Sequence, residues 1–172
     1  MTYYNPLVSI IIPTFNRSYC LSNAINSVIN QTYSNWELII VDNFSKDNTS
    51  ELVNSFKKKN IKFYQIHNKG IIAKSRNYGI SKSLGEILCF LDSDDWWNKQ
   101  KLQIEVNLIN KGYEFIYSDM YLNYFKIKGF RKRTRTRKLK NPIFNDLLIN
   151  GNAINNSSVT LKRDLFFKSG GF

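Results

Sequence analysis

LVSIIIPTFNR, residues 7–17, is an almost unbroken apolar run closed by Pro13 and followed at once by polar residues. A strand that is apolar along its whole length is covered on both faces, as in the middle of a parallel sheet. The same pattern recurs outward from it at 36–41 (WELIIV), 61–66 (IKFYQI), 86–91 (EILCFL) and 114–118. Between these runs the period changes to that of a helix. Residues 19–30 place Leu21, Ala24, Ile25, Val28 and Ile29 on one face. Residues 47–59 read as a helix with Asp47 or Asn48 at its N-cap and three lysines in its last turn. Helices are also predicted over 72–84, ended by Gly85, and over 99–110, ended by Gly112. Strands alternating with helices imply right-handed βαβ units, a mostly parallel central sheet and helices on both faces.

After Asp119 the pattern loosens. Residues 121–130 are aromatic and read as strand or loop, 142–149 as a short helix, 157–161 as a strand and 163–168 as a helical turn. No repeat and no second domain is visible, so residues 1–172 read as a single domain.

The chain has 172 residues, 42% hydrophobic and 22% charged, enough for a real core. No apolar run is long enough to span a bilayer, and the first residues lack the basic region of a secretory signal. Cys20, Cys89 and His67 are too few for a Cys/His zinc site, and a reducing, cytoplasmic setting is expected. The formal net charge of +12 invites a nucleic-acid reading, but nine basic residues fall between Lys126 and Lys140 with no acid among them. Without those nine the remainder carries only +3, so nucleic acid is not the expected partner.

Ligands of parallel α/β sheets bind beyond the carboxyl ends of the strands. That rule collects Pro13-Thr14-Phe15-Asn16-Arg17, Asp42-Asn43, His67-Asn68 and Asp92-Ser93-Asp94-Asp95. Three carboxylates within four residues repel one another unless a cation or donors compensate, and Mg²⁺ or Mn²⁺ suits hard carboxylate oxygens. An Asp/Ser turn capping the next helix explains the same residues equally well. Asp42 could accept an N–H from a base or a ribose hydroxyl, or simply form an Asx-turn with Asn43 and Ser45. Lys74 and Arg76 could face a diphosphate, or form a solvated helix face. The absence of G-x-G-x-x-G, G-x-x-x-x-G-K-[ST] and G-x-S-x-G removes support for dinucleotide oxidoreductases, P-loop NTPases and α/β-hydrolases.

Taken in order, residues 8–17, 27–33 (SVINQTY), 36–42 (WELIIVD), Asn68-Lys69-Gly70, Ser75-Arg76-Asn77-Tyr78-Gly79, 91–95 (LDSDD), Asn156-Ser157-Ser158-Val159 and Lys168-Ser169-Gly170-Gly171-Phe172 resemble the inverting glycosyltransferases of family 2. The resemblance implies a GT-A fold, with a nucleotide-sugar half over about 6–119 and the start of an acceptor half over 120–172. It implies a nucleotide-diphosphate sugar donor, most often a UDP-sugar, and a glycan, lipid-linked or other hydroxyl acceptor in polysaccharide or glycoconjugate synthesis. By position, Pro13, Thr14 and Phe15 would line the nucleoside and Asp42 would bind the base. Asn68 and Arg76 would lie near base and diphosphate, Asp92 at the ribose or a metal-bound water, and Ser93 against the nucleotide sugar. Asp94, with Asp92, would hold Mn²⁺ or Mg²⁺ as the last acid of the D-x-D motif. The family's catalytic base is an acid soon after the Gly-Gly-Phe segment. Asp119 and Asp164 do not match it, so the base is expected beyond Phe172, in a longer enzyme.

The basic segment 126–140 reads as a solvated loop, or as a patch for anionic lipid at the inner face of a membrane or for a phosphorylated or acidic acceptor. Were it a strand, Arg131, Arg133, Arg135 and Arg137 would share one face. Rival readings are an inactive sugar-nucleotide-binding module, a nucleotidyltransferase and a nucleic-acid binder. The nucleotidyltransferase is weakened because no glycine follows the first strand.

Overall fold

The computed structural model describes residues 4–123 and 131–172. The first apolar run forms β1 (Val8–Thr14), with Ile10, Ile11 and Ile12 fully buried. It lies at the centre of a six-stranded sheet with β2 (Trp36–Asp42), β3 (Ile61–Gln65), β4 (Ile87–Phe90), β5 (Phe115–Ile116) and β8 (Thr160–Lys162), in the order β3-β2-β1-β4-β8-β5. The β1–β2, β1–β4 and β2–β3 pairs are parallel, whereas β8 runs antiparallel to both β4 and β5. The mostly parallel sheet is therefore as expected, with an antiparallel edge contributed by the last third of the chain.

Alternation along β1 builds two cores. Val8, Ile10 and Ile12 face α1 (Ser18–Ile29), α2 (Thr49–Ser55) and α4 (Lys101–Asn110). Ile11, with Ile39 and Val41 of β2, faces α3 (Ile72–Ser81) and α6 (Arg163–Lys168). A Cβ on Gly79 would lie 2.7 Å from Ile11 Cγ2, so only glycine lets α3 approach the sheet this closely. At the amino ends of the strands, the Glu37 carboxylate accepts from Ser9 Oγ at 2.7 Å and from Lys62 Nζ at 2.8 Å. Burial works against the Glu37 carboxylate, but donors from Leu84, Lys62 and Ser9 outweigh it and lower its pKa.

Several elements are shorter than their periodicity suggests. The helix predicted over 47–59 ends at Ser55, leaving the three lysines beyond it, and Phe56 to Asn60 turn the chain into β3. Asn48 is the N-cap of α2, and the Asp47 side chain ties the starts of two helices together. It accepts from the Thr49 N–H and hydroxyl at the start of α2, and from Ser18 N at 2.9 Å at the start of α1. Burial opposes its charged form, yet those donors from Thr49 and Ser18 bring its pKa down to about 2. The strand expected at 157–161 is a 3-10 turn (Asn156–Ser158) followed by β8.

A two-stranded ribbon, β6 (Met120–Asn123) and β7 (Arg131–Thr134), and helix α5 (Ile143–Asn150) stand outside the main sheet. Lys126 and Lys128, and most of the aromatic stretch, lie outside the described residues. The alternation expected through Arg137 stops at Thr134, where β7 ends, and two arginines are held by acids. Arg133 donates to Asp119 at 2.7 Å, and Arg137 pairs with the buried Asp146 of α5. The Thr136 N–H and hydroxyl, with Arg133, hold Asp119 down to about 2. Arg137, with the Lys140 N–H, does the same to Asp146.

Candidate functional site

The carboxyl ends of β1, β2, β3 and β4 open onto one mouth, and the predicted residues come together there. Thr14 ends β1, Asp42 ends β2, Asn68 lies just past β3, and Asp92 and Asp94 lie just past β4. Three residues in this region take left-handed backbone conformations: Asn16 (φ 51°), Phe44 (φ 54°) and Lys69 (φ 57°). Asparagine tolerates that region, but phenylalanine pays for it, typically about 1–3 kcal/mol. The sharp turns lace the loops together. Asn16 N donates to Ser45 Oγ at 2.7 Å, and Lys46 N to Asn16 Oδ1 at 2.8 Å.

Asp42 is fully buried and accepts from Ser45 N at 2.9 Å, the Ser45 hydroxyl and Gln65 Nε2 at 3.0 Å. It thus makes the Asx-type turn that was one of its two readings. Both ends of the Asn68 side chain are committed: Nδ2 donates to Ser75 Oγ at 2.8 Å and Oδ1 accepts from Gly70 N at 2.8 Å. Pro13 is half-buried, Ser93 is buried, and Phe15 is exposed at the rim.

Arg76 is the centre of the cluster. The close packing of α3 on the sheet buries it, so it is no solvated helix face. Its Nη2 donates to Asp92 Oδ1 at 2.7 Å. Asn156, with its amide oriented to accept, lies 3.3 and 3.2 Å from Nη1 and Nη2. The guanidinium carbon lies 5.5 Å from the centre of the Phe172 ring. Phe172 is fixed in turn by Asn77, whose Nδ2 donates to Phe172 O at 3.0 Å and whose Oδ1 accepts from Phe172 N at 3.2 Å.

Among the described residues, only two buried side-chain polar atoms lack a partner: Thr14 Oγ1 and Arg76 Nε. Both belong to residues singled out from the sequence. Orphaned buried polar atoms cost free energy and mark where a ligand or water belongs.

Asp94 behaves differently. Its side chain is 53% exposed, and Arg17 Nη1 approaches it at 3.6 Å. Asp92 offers one oxygen to Arg76 and is 33% exposed. Asp95 is half-buried; burial foremost raises its pKa, the Ser157 hydroxyl opposes this, and the charges of Asp92 and Asp94 add to it. Among the described residues no three His, Cys, Asp or Glu side chains converge to form a protein-only metal cage. The donor set still fits Mg²⁺ or Mn²⁺ in a phosphate complex, where one or two carboxylates and substrate oxygens share the ion. Asp94, with the free oxygen of Asp92, would hold it.

Sequence reasoning assigned no role to Arg17, Phe44, His67, Asn77, Asn156 or Phe172. Phe44 and His67 stack at the mouth with ring centroids 4.0 Å apart. Asn77, Asn156 and Phe172 all lay within the quoted motifs, and only their convergence on Arg76 shows what they do.

The sequence profile described as glycosyl transferase family 2 matches residues 9–167. UDP-Glc:alpha-D-GlcNAc-diphosphoundecaprenol beta-1,3-glucosyltransferase WfgD of Escherichia coli is 39% identical over 118 residues, 69% of this chain and 46% of that protein. The putative teichuronic acid biosynthesis glycosyltransferase TuaG of Bacillus subtilis is 34% identical over 112 residues, 63% of this chain and 44% of its own length. The chain spans less than half the length of these relatives. Residues 1–349 of S. aureus TarS in complex with UDP-GlcNAc superpose with a TM-score of 0.74 at 24% identity, covering 95% of this chain and 47% of that one. The mannosyltransferase PcManGT from Pyrobaculum calidifontis, in complex with GDP-Man and Mn²⁺, gives 0.71 at 20% identity, covering 99% and 48%. The fold is that of the GT-A glycosyltransferases, and the chain belongs to glycosyl transferase family 2.

Proposed function

We propose that the chain binds a nucleotide-diphosphate sugar, a UDP-sugar in the first instance, at the mouth formed by Thr14, Asp42, Arg76 and Asp92. The protein it belongs to would transfer the sugar with inversion to an acceptor hydroxyl in polysaccharide or glycoconjugate synthesis. The observation that supports this reading is that the two buried side-chain atoms left without a partner among the described residues, Thr14 Oγ1 and Arg76 Nε, belong to residues at the carboxyl ends of the strands, Arg76 being paired there with Asp92. A guanidinium with an unspent N–H is suited to a diphosphate oxygen. Asp42 has lone-pair capacity for one more donor, and a base N–H takes it when the Ser45 hydroxyl turns away. Pro13, Thr14 and Phe15 line the nucleoside, Asn68 shapes the loop beside it, and Ser93 sits at the ribose. A divalent cation held by Asp94 and Asp92 supplies positive charge where the leaving diphosphate gains negative charge. Arg76 adds to that charge from the protein side, and its clamp by Asp92, Asn156 and Phe172 keeps it aimed.

The test is a thermal-shift panel with UDP, GDP, CDP and dTDP, each with and without Mn²⁺. Saturation at 100 times the dissociation constant adds about 2.7 kcal/mol, a shift of roughly 5–10 °C for a domain of this size. A shift led by UDP supports the reading, and no shift with any nucleotide refutes it.

A second reading concerns location: peripheral contact with anionic lipid at the inner face of the cytoplasmic membrane, through 126–140. It is favoured by α5, which exposes Ile143, Phe144, Leu148 and Ile149 beside the basic segment and is tied to it by the Arg137–Asp146 pair. Among the described residues no helix is long and apolar enough to cross a membrane. Co-sedimentation with phosphatidylglycerol vesicles, lost in Phe144→Ser/Leu148→Ser, checks it.

A further inference from the structure

Phe44 holds a left-handed backbone (φ 54°), a conformation that glycine takes without steric cost and a bulky side chain takes rarely. The core gains little from the ring in return, because Phe44 is 42% exposed. The turn that carries it is over-determined. Asn43 N donates to Thr14 O at 3.0 Å, and Ile66 N to Asp42 O at 2.9 Å. Asn68 N donates to Asn43 Oδ1 at 2.9 Å, and Ser45 N to Asp42 Oδ2 at 2.9 Å. These bonds fix the turn between the ends of β1, β2 and β3, which is how a strained residue persists. Strain kept at the mouth of the sheet, on a ring that is not core, points to a task for the ring.

The setting of the ring shows what that task is. Phe44 stacks on His67 with centroids 4.0 Å apart and planes 20° from parallel, and His67 is exposed as well. Two stacked, exposed rings make a flat aromatic plate. Asp42 lies two positions before Phe44 in the same turn, and Asn68 directly follows His67. The face of such a plate offers a phosphate no donor, whereas a planar heterocycle extends the stack. We propose that the Phe44–His67 stack is an aromatic face of the donor site on which the nucleotide's base lies from the β2–β3 side. Phe15, exposed after β1, stands on the neighbouring loop. Phe44 would touch the base, and His67 would act as a positioning residue that keeps the Phe44 ring flat. The inference rests on the donor reading above, and adds to it a contact that depends on the base and not on the diphosphate or the metal.

The test compares the wild-type chain with Phe44→Gly, Phe44→Leu and Phe44→Trp. Each is scored for melting temperature and, by calorimetry with Mn²⁺ present, for affinity to UMP and to UDP. Glycine relieves the strained backbone, so Phe44→Gly should melt no more than about 3 °C below wild type. It should nevertheless bind both nucleotides about tenfold more weakly. The factor should be the same for UMP and UDP, because the contact is to the base. Phe44→Leu, apolar but not aromatic, should bind as weakly as Phe44→Gly, and Phe44→Trp should bind as wild type does. Unchanged affinity in Phe44→Gly overturns the proposal. So does a loss confined to UDP, which would place the effect at the phosphates. If Phe44→Gly does not fold, equal affinities in Phe44→Leu and Phe44→Trp overturn it instead. A wild-type chain that binds UDP while the substitutions are silent loses the base face alone. A wild-type chain that melts cooperatively and binds neither nucleotide loses the donor reading, and the base face with it.

Discussion

Arg76 and Asp92 stand 16 residues apart in the chain and meet at 2.7 Å, joining helix α3 to the turn after β4 across the mouth of the sheet. Neither residue is explained by its own element. Arg76 is buried on a helix whose position is set by Gly79, and Asp92 is set by the end of β4 and by Ser157, whose hydroxyl accepts its N–H at 3.0 Å. Replacing Arg76 by Met would leave Asp92 and Asn156 without their donor. A fully buried pair broken on one side costs about 3–5 kcal/mol. Here a third of the Asp92 side chain reaches solvent, so a loss of about 1–2 kcal/mol is expected, read by urea denaturation. UDP affinity should fall about tenfold or more, and Arg76→Lys should not restore it, because the fork is lost.

The glycines rank themselves. At Gly79 an added Cβ meets the side chains of Ile11 at 2.7 Å and Val41 at 3.2 Å, which can shift. At Gly85 it meets backbone, Leu7 O and Ser9 N both at 2.6 Å, as well as Ser9 Oγ at 2.5 Å. Gly79→Ala should cost about 1–3 kcal/mol, and Gly85→Ala distinctly more. Equal losses, measured by chemical denaturation, would contradict the packing described for the amino ends of β1 and β4.

Acid should loosen α5 and the ribbon before the main sheet. Asp119 and Asp146 have pKa values of about 2 in the folded protein, below the ordinary value of 3.8. A depressed pKa means the folded state binds the proton more weakly than the unfolded chain. Their stabilisation is therefore complete above about pH 4 and is lost as pH falls through about 2. Hydrogen exchange between pH 5 and 2.5 should show amides of 131–150 opening first. Asp146→Asn should produce that opening at pH 7, with little effect on β1, β2 and β3.

The sheet was legible because its strands are apolar end to end, and a parallel strand buried on both faces has no other sequence signature. The ends of elements were less legible. The 47–59 helix ends early because Asn60 and Lys58 are used to start β3: Ile61 N donates to Lys58 O, and Leu38 N to Asn60 O. That is a tertiary demand, invisible in local periodicity. The site divides in the same way. Carboxylates at strand ends announce themselves, so the sequence places Asp42, Asp92 and Asp94 at the mouth where the structure has them. Asn156 and Phe172 were not foreseen, because nothing about an amide or an aromatic ring foretells that it will clamp an arginine 80 or 96 residues earlier. The basic segment was legible only in its charge, for a related reason. Its net charge was read correctly, but Arg133 and Arg137 are paired with acids that lie outside it.

In the proposed site Asp94 is the exposed carboxylate through which a metal would couple to the nucleotide. Calorimetric titration of UDP into the wild-type chain and into Asp94→Asn, each with and without Mn²⁺, tests it directly. Asp94 is 53% exposed, so the substitution should change stability by no more than about 0.5 kcal/mol, and a loss of binding cannot be a loss of fold. The predicted result is that Mn²⁺ strengthens UDP binding about tenfold or more in the wild type and hardly at all in Asp94→Asn. UDP binding that is equally strong in both proteins and indifferent to Mn²⁺ would contradict the account.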